Sequence, residues 1–227
     1  MSESGRWSKQ TLAYHFQNRS LLDQALSHRS AGGVNNERLE FLGDALLGMV
    51  VAETLYHTLP DADEGYLSRL RAHLVRKETL AEIAVEISLG EQIRLGAGEL
   101  KSGGHRRASI LANGLEAVLG AVFLDGGYGA ARDVVVQLLR TRLGALPSHE
   151  KLKDPKTRLQ EALQSNNREL PVYSIDAVSG QDHRQRFTAS CRLPDARIHT
   201  TGDGRSRRQA EQAAAAAMIA VLEAEDG

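Results

Sequence analysis

The stretch Asn36-Glu37-Arg38-Leu39-Glu40-Phe41-Leu42-Gly43-Asp44 decides how this chain is read. On a helix advancing about 100° per residue, Glu37, Glu40 and Asp44 fall within an arc of roughly 60°. Leu39, Leu42 and Leu46 take the opposite side, where they would hold the helix against a core. Acids at i, i+3 and i+7 repel one another, by roughly a few tenths of a kcal/mol per pair on an exposed helix. No lysine within that arc relieves the repulsion. The face is either a solvated polar surface or one half of a cation site.

A second segment repeats the design. Asn113 and Glu116 are three apart on one helical face, with Leu115, Val118 and Val122 on the other. If the two polar faces meet, Glu40, Asp44, Glu116 and the Asn113 amide converge. An all-oxygen ligand set of that kind selects a hard cation such as Mg²⁺.

Around these segments, apolar residues recur at helical spacing in 12–16, 21–26, 39–55, 67–89, 110–124 and 134–143. The region 5–147 therefore reads as an all-α domain. Residues 148–153 read as a linker, since the stretch 144–154 carries Pro147 and charged residues without periodicity. From 154 to 226 the pattern changes. A helix from about Pro155 to Gln164 precedes three short strands, marked by Val172, Ile175 and Val178, by Phe187, Ala189 and Cys191, and by Ile198 and Thr200. An alanine-rich helix from Ser206 to Glu225 closes an α-β-β-β-α unit, since alanine is the best helix former.

Composition narrows the class without naming it. The chain has 227 residues, 41% hydrophobic and 25% charged, as in an ordinary soluble protein. The longest apolar stretches, such as Ala45–Ala52, are too short to span a bilayer, so no membrane partner is expected. The opening residues lack the apolar core of a signal peptide. The single cysteine, Cys191, excludes an intrachain disulfide and a cysteine zinc cluster and fits a reducing cytoplasm. The net charge of −1 gives no hint of a nucleic-acid partner, so any such partner must be read from local clustering.

The string NERLEFLGDALL at 36–47 resembles the signature of the ribonuclease III family. LSHRS at 26–30, DADEGYLSRLRAHLV at 61–75 and ILANGLEAVLGAVFLDGG at 110–127 resemble three companion blocks, in the same order. The resemblance implies a double-stranded-RNA endonuclease that uses Mg²⁺, with Mn²⁺ able to stand in. It implies 5′-phosphate and 3′-hydroxyl ends, and staggered cuts with two-nucleotide 3′ overhangs. It also implies a role in processing ribosomal RNA precursors and other structured transcripts. By position, Glu40, Asp44 and Glu116 match the family's metal-binding and catalytic carboxylates, while Glu37 and Glu64 match two further acids of its cleft. Asn113 departs from the family pattern, which has aspartate there; an amide oxygen can coordinate Mg²⁺ but carries no charge. The resemblance further implies a homodimer in which Phe41 packs into the partner subunit. On helical geometry Phe41 projects about 40° from Glu37, on the acidic side. Burial by another helix of its own domain is the alternative.

In the C-terminal unit, Arg205, Arg207 and Arg208 lie at the start of the last helix. They oppose the helix dipole, yet with the free N–H groups there they suit a phosphate backbone. The α-β-β-β-α pattern resembles a double-stranded-RNA-binding domain, which reads A-form shape across minor grooves. By position, Thr157, Gln160, Glu161 and Gln164 would meet one minor groove, His183 the next, and the arginines the phosphates between. From Asp154 onward 10 Lys/Arg stand against 11 Asp/Glu, so affinity should be modest and salt-dependent.

Other motifs carry less. His28, His73, His105 and His149 have no partner at metal-ligand spacing and are expected in ordinary surface or core roles. Ser27 and His28, adjacent on a helix, point apart and make a serine-hydrolase reading poor. No Walker-type sequence appears. Gly103-Gly104-His105-Arg106-Arg107 is either an exposed turn or a phosphate-contacting loop. Two rival functions stay open: a non-catalytic RNA-binding relative silenced at position 113, and a metal-dependent hydrolase of small phosphate esters.

Overall fold

The computed structural model describes residues 3–181, 185–195 and 198–225. The chain divides into two compact units, Met1–Pro147 and Ser148–Gly227. The first unit contains α1 (Glu3–Thr11), α2 (Arg19–Ala25), α3 (Glu37–Thr58), α4 (Glu64–Val75), α5 (Lys77–Glu86), α6 (Leu89–Gln92), α7 (Ala97–Lys101) and α8 (Ala108–Leu143). Two 3₁₀ turns, Arg29–Ala31 and Gly104–Arg106, precede α3 and α8 respectively.

The core is built on the contact between α3 and α8, the broadest in this unit. Leu39, Leu46, Leu47, Val50, Val51 and Leu55 are buried on α3, as the 3.6-residue period requires. The two helices touch backbone to backbone at a pair of glycines. A β-carbon added to Gly43 would lie 1.8 Å from the Glu116 carbonyl oxygen, and one added to Gly120 would lie 2.3 Å from that of Leu39. No other residue type permits this approach.

α8 is long and apolar, but its most apolar window is 61% buried inside the unit, so it is the core helix. It bends at Gly127, whose φ of 77° glycine tolerates without a β-carbon clash. The two apolar runs of the sequence, 110–124 and 134–143, are thus the two arms of one kinked helix. Asp125 secures the bend by accepting from Tyr14 Oη and from the amides of Gln17 and Asn18, each at 2.8 Å. Asp63 caps α4 through the Tyr66 amide at 2.7 Å.

The second unit contains α9 (His149–Leu152), α10 (Pro155–Ser165), β1 (Val172–Ser179), β2 (Arg186–Arg192), β3 (His199–Gly204) and α11 (Arg207–Glu225). The segment read as a linker at 148–153 contains one helical turn, α9. The three strands form an antiparallel sheet in the order β1-β2-β3, with Val172 opposite Arg192 and a bulge between Ile175 and Ala177. Both long helices close over one face around Leu159, Leu163, Cys191, Leu193, Ala214, Ala215 and Met218.

β3 is longer than the sequence pattern showed. Its inward positions are Thr200, Gly202 and Gly204, which carry little apolar signal. A β-carbon at Gly202 would sit 2.1 Å from the Ala214 amide nitrogen. The glycines of β3 and the alanines of α11 are therefore two sides of one close contact.

Candidate active site and RNA-binding surface

Because α3 and α8 cross at Gly43 and Gly120, the polar faces one turn away are brought together. Glu37, Glu40 and Asp44 from α3 and Asn113 and Glu116 from α8 line a single cleft of about 790 Å³. This is the convergence that the acid spacing called for.

The electrostatics follow from crowding like charges beside a core. Glu116 has its carboxyl pushed up to about 7 by burial, then by the charges of Asp44 and Glu40. Glu40 is also raised, by burial first; a hydrogen bond from the Asn113 amide and the charge of Arg29 oppose the rise, and Glu37 and Asp44 add to it. Asn113 thus relieves part of the repulsion that a fourth acid would increase.

Among the described residues, no three His, Cys, Asp or Glu side chains stand close enough to enclose a metal ion. The acids share a cleft and do not form a closed cage. Three carboxylates and an amide oxygen remain a suitable donor set for a hard divalent cation. Asp44 and Glu40 add their charge to the burial that raises Glu116, and a bound cation would offset that repulsion.

Glu64 does not join them. It starts α4, accepts from Ser68 Oγ at 2.7 Å and lines a separate groove with Ala52, Leu55 and Tyr56. Those α3 residues lie 12–16 positions beyond Glu40, roughly 18–24 Å along the helix axis at about 1.5 Å per residue. The expectation that one chain brings Glu64 to the acidic cleft is therefore corrected. Phe41 is 80% exposed at the cleft margin, so the alternative of burial within its own domain fails.

The cleft also holds residues that the sequence did not assign to the acidic site. His28 lines it and caps the Arg29–Ala31 turn, with Nδ1 2.8 Å from Ser30 Oγ. Arg29 and Arg107 enter it as cations and Glu99 as a further acid. Each lies outside the acid-bearing helices, so helical periodicity could not reach them.

In the second unit, Gln160, Glu161 and Gln164 are exposed on α10. Glu161 is ion-paired with Lys153. Thr157 is half-buried in the cap of α10, where its amide and hydroxyl both donate to Asp154, at 3.1 and 3.2 Å. Arg205, Arg207 and Arg208 are exposed around the start of α11. Gln212 joins the two helix starts, donating to Asp154 at 2.7 Å and accepting from the Lys156 amide at 3.0 Å. These bonds tie the first turn of α10 to the N-terminal part of α11. His183 lies outside the described residues.

Comparison with known proteins agrees with this geometry. Residues 18–143 match the family described as ribonuclease-III-like, and residues 155–222 match the double-stranded RNA binding motif. The chain is 55% identical to a ribonuclease 3 of Alkalilimnicola ehrlichii over 212 residues, covering 93% of each chain. It is 54% identical to that of Nitrosococcus oceani over 217 residues, covering 95% of this chain and 93% of the other. Among solved structures, the ribonuclease III nuclease domain of Campylobacter jejuni superposes with a TM-score of 0.61 at 39% identity. That match covers 64% of this chain and all of the other. The chain belongs to the ribonuclease III family. It is an endoribonuclease of double-stranded RNA, with a helical nuclease domain followed by a double-stranded-RNA-binding domain.

Proposed function

We propose that the cleft between α3 and α8 hydrolyses phosphodiester bonds of double-stranded RNA with Mg²⁺, or Mn²⁺ in its place, leaving 5′-phosphate and 3′-hydroxyl ends. The carrying observation is the convergence of Glu40, Asp44, Asn113 and Glu116 on that cleft. The three carboxylates would hold the ion. Asn113 can add its amide oxygen while its N–H₂ donates to Glu40. Bound there, the ion would supply an activated water, a neutralised phosphate and a stabilised 3′-oxygen. Glu116, half-buried and with a carboxyl near neutrality, can hold or release a proton beside the reacting phosphate.

The RNA-binding domain adds groove and phosphate contacts through Gln160, Gln164 and the arginines of α11. We place a second copy of the chain on the exposed stripe of α3, where Phe41, Met49 and Tyr56 are each more than half exposed. A related Campylobacter jejuni nuclease domain, 41% identical, is described as flexible in a region involved in dimer formation, which supports this reading. The expected targets are ribosomal RNA precursors and other structured transcripts. A buried, unpaired Cys191 suits a reducing cytoplasm.

The test is incubation with long double-stranded RNA, with Mg²⁺ and with chelator, followed by end-group analysis. Metal-dependent cleavage to 5′-phosphate ends is expected; cleavage in chelator would overturn it.

A further inference from the structure

The turn at 26–30 supplies His28 and Arg29 to the cleft, yet no long helix carries it. It is held by the segment between α6 and α7. The two run side by side as an isolated parallel β-bridge at Ser27 and Arg94. The Arg94 amide donates to the Leu26 carbonyl at 2.7 Å, and the His28 amide donates to the Arg94 carbonyl at 3.0 Å. Two residues on, the Gly96 amide donates to Ser30 Oγ at 2.9 Å. A β-carbon on Gly96 would lie 2.1 Å from the Ser30 carbonyl oxygen, so only glycine allows the two segments to lie this close.

The Arg94 side chain completes the strap. Its guanidinium donates to Ser27 Oγ from Nη2 at 2.8 Å and from Nε at 3.2 Å. It also reaches the Asp23 carboxylate, at 3.3 Å, and the carbonyl of the same residue. Ser27, 8% exposed, is the junction. Its hydroxyl donates to the Asp23 carbonyl at 2.7 Å, and its own carbonyl accepts from the Asn36 amide at 2.9 Å. Asn36 is buried, lines the cleft and accepts from the Glu40 amide at 2.9 Å in the first turn of α3. On the other side of the junction, the Ser30 amide donates to His28 Nδ1 at 3.2 Å. That bond orients the ring and leaves Nε2 to carry the proton of the neutral imidazole. Arg94 does not line the cleft, yet through Ser27 it touches both the His28 turn and the start of the acid-bearing helix.

Folding stability alone is a poor reason for this arrangement. The Arg94 and Asp23 side chains are 54% and 53% exposed, and exposed ion pairs add little. We propose that Arg94 is a positioning residue of the nuclease cleft: acting through Ser27, it sets the placement of His28 and of the α3 start, and thereby of Glu37 and Glu40, against Glu116. A guanidinium suits the task because its rigid fork holds hydroxyl, carboxylate and carbonyl at once. Misplacement by about 1 Å at a reacting centre can cost about a hundredfold in rate. This inference rests on the reading of the cleft as the RNA-cutting site.

The experiment compares the full chain with Arg94→Met, Ser27→Ala and Arg142→Met. Single-turnover cleavage of a double-stranded RNA is measured at saturating protein and Mg²⁺, well below each Tm, alongside RNA binding in chelator. Arg94→Met is expected to lower the single-turnover rate about tenfold or more, while the binding constant stays within about twofold. Ser27→Ala, which removes only the hydroxyl that Arg94 holds, should reproduce the rate loss. Arg142→Met breaks the ion pairs to Glu82 and Glu86, none of which lines the cleft. It should lower Tm and leave the rate at the parent value, as a merely structural role would. An Arg94→Met rate within about twofold of the parent overturns the proposal, whatever its Tm, and so does a loss confined to RNA binding. If Arg94→Met does not fold, Ser27→Ala decides by the same two readouts. A parent without metal-dependent cleavage refutes the reading of the cleft, whereas a cleaving parent matched by Arg94→Met refutes the positioning role alone.

Discussion

Gly43 of α3 lies directly against the carbonyl of Glu116 on α8, with 1.8 Å between that oxygen and the place a β-carbon would occupy. The contact joins a packing requirement to the site, because one of its two residues is also a candidate catalytic acid. Gly43→Ala must push the helices apart and is expected to cost about 1–3 kcal/mol, a Tm loss of about 4–12 °C. Turnover should fall with it, as the acids separate. Gly129→Ala on α8, with nothing within 4 Å, serves as the control and should be neutral or slightly stabilising. Equal Tm for Gly43→Ala and the parent would show that the crossing is looser than drawn.

Glu116→Gln should abolish cleavage while leaving RNA binding near the parent level. Turnover within about tenfold of the parent, a loss of only about 1.4 kcal/mol, would remove Glu116 from the chemistry. The same variant tests the site's electrostatics without metal. The folded carboxyl titrates at about 7, above its ordinary 4.5, so the folded state holds that proton more tightly than the unfolded chain. In chelator, the stability linked to Glu116 is therefore complete below the unfolded value and is lost as pH rises through about 7. Thermal melts from pH 5 to 8 should show a decline for the parent that is smaller for Glu116→Gln; parallel curves would contradict the raised carboxyl.

Asn113→Asp replaces a donor to Glu40 with another carboxylate. At an effective dielectric near 20, unit charges about 4 Å apart attract by about 4 kcal/mol before desolvation and acid–acid repulsion are subtracted. A net gain of roughly 1 kcal/mol would tighten Mg²⁺ binding several-fold. The variant should need less Mg²⁺ for half-maximal cleavage, gain little at saturation, and melt lower than the parent in chelator. Superimposed metal titrations would exclude Asn113 as a ligand. An inactive parent rescued by aspartate would instead mean that asparagine disables the enzyme.

Removal of residues 148–227 should leave a folded nuclease unit, since Met1–Pro147 is compact by itself and the Campylobacter jejuni nuclease domain stands alone as a structure. Cleavage should persist at low salt and fail near about 200 mM, because each lost phosphate contact reduces affinity there. Full activity of the truncated chain at that salt would assign the C-terminal domain another task.

Phe41→Ala should weaken self-association, as measured by sedimentation equilibrium. Loss of a large aromatic from the centre of an interface commonly costs about 2 kcal/mol or more. An unchanged association constant would leave the 80% exposure of Phe41 without that explanation.

The sequence by itself determined whatever depends on near neighbours along the chain. Glu37, Glu40 and Asp44 share a face because a helix repeats every 3.6 residues, and Leu39, Leu46 and Val50 are buried for the same reason. The change from helical to strand patterning near Pro171 was equally legible, and the family blocks ordered the acids. The tertiary structure decided which faces meet. The crossing at Gly43 and Gly120 joins Glu40 to Asn113, while Glu64, on the next helix, is carried to the far end of α3. It also brings in His28, Arg29 and Arg107 from turns and Glu99 from the short helix α7, segments too short to show a periodicity. β3 was only half visible because its inward glycines are meaningful only beneath the alanines of α11. Local spacing sets the face a side chain occupies; only the close approach of distant backbone, permitted where a β-carbon is missing, sets what that face meets.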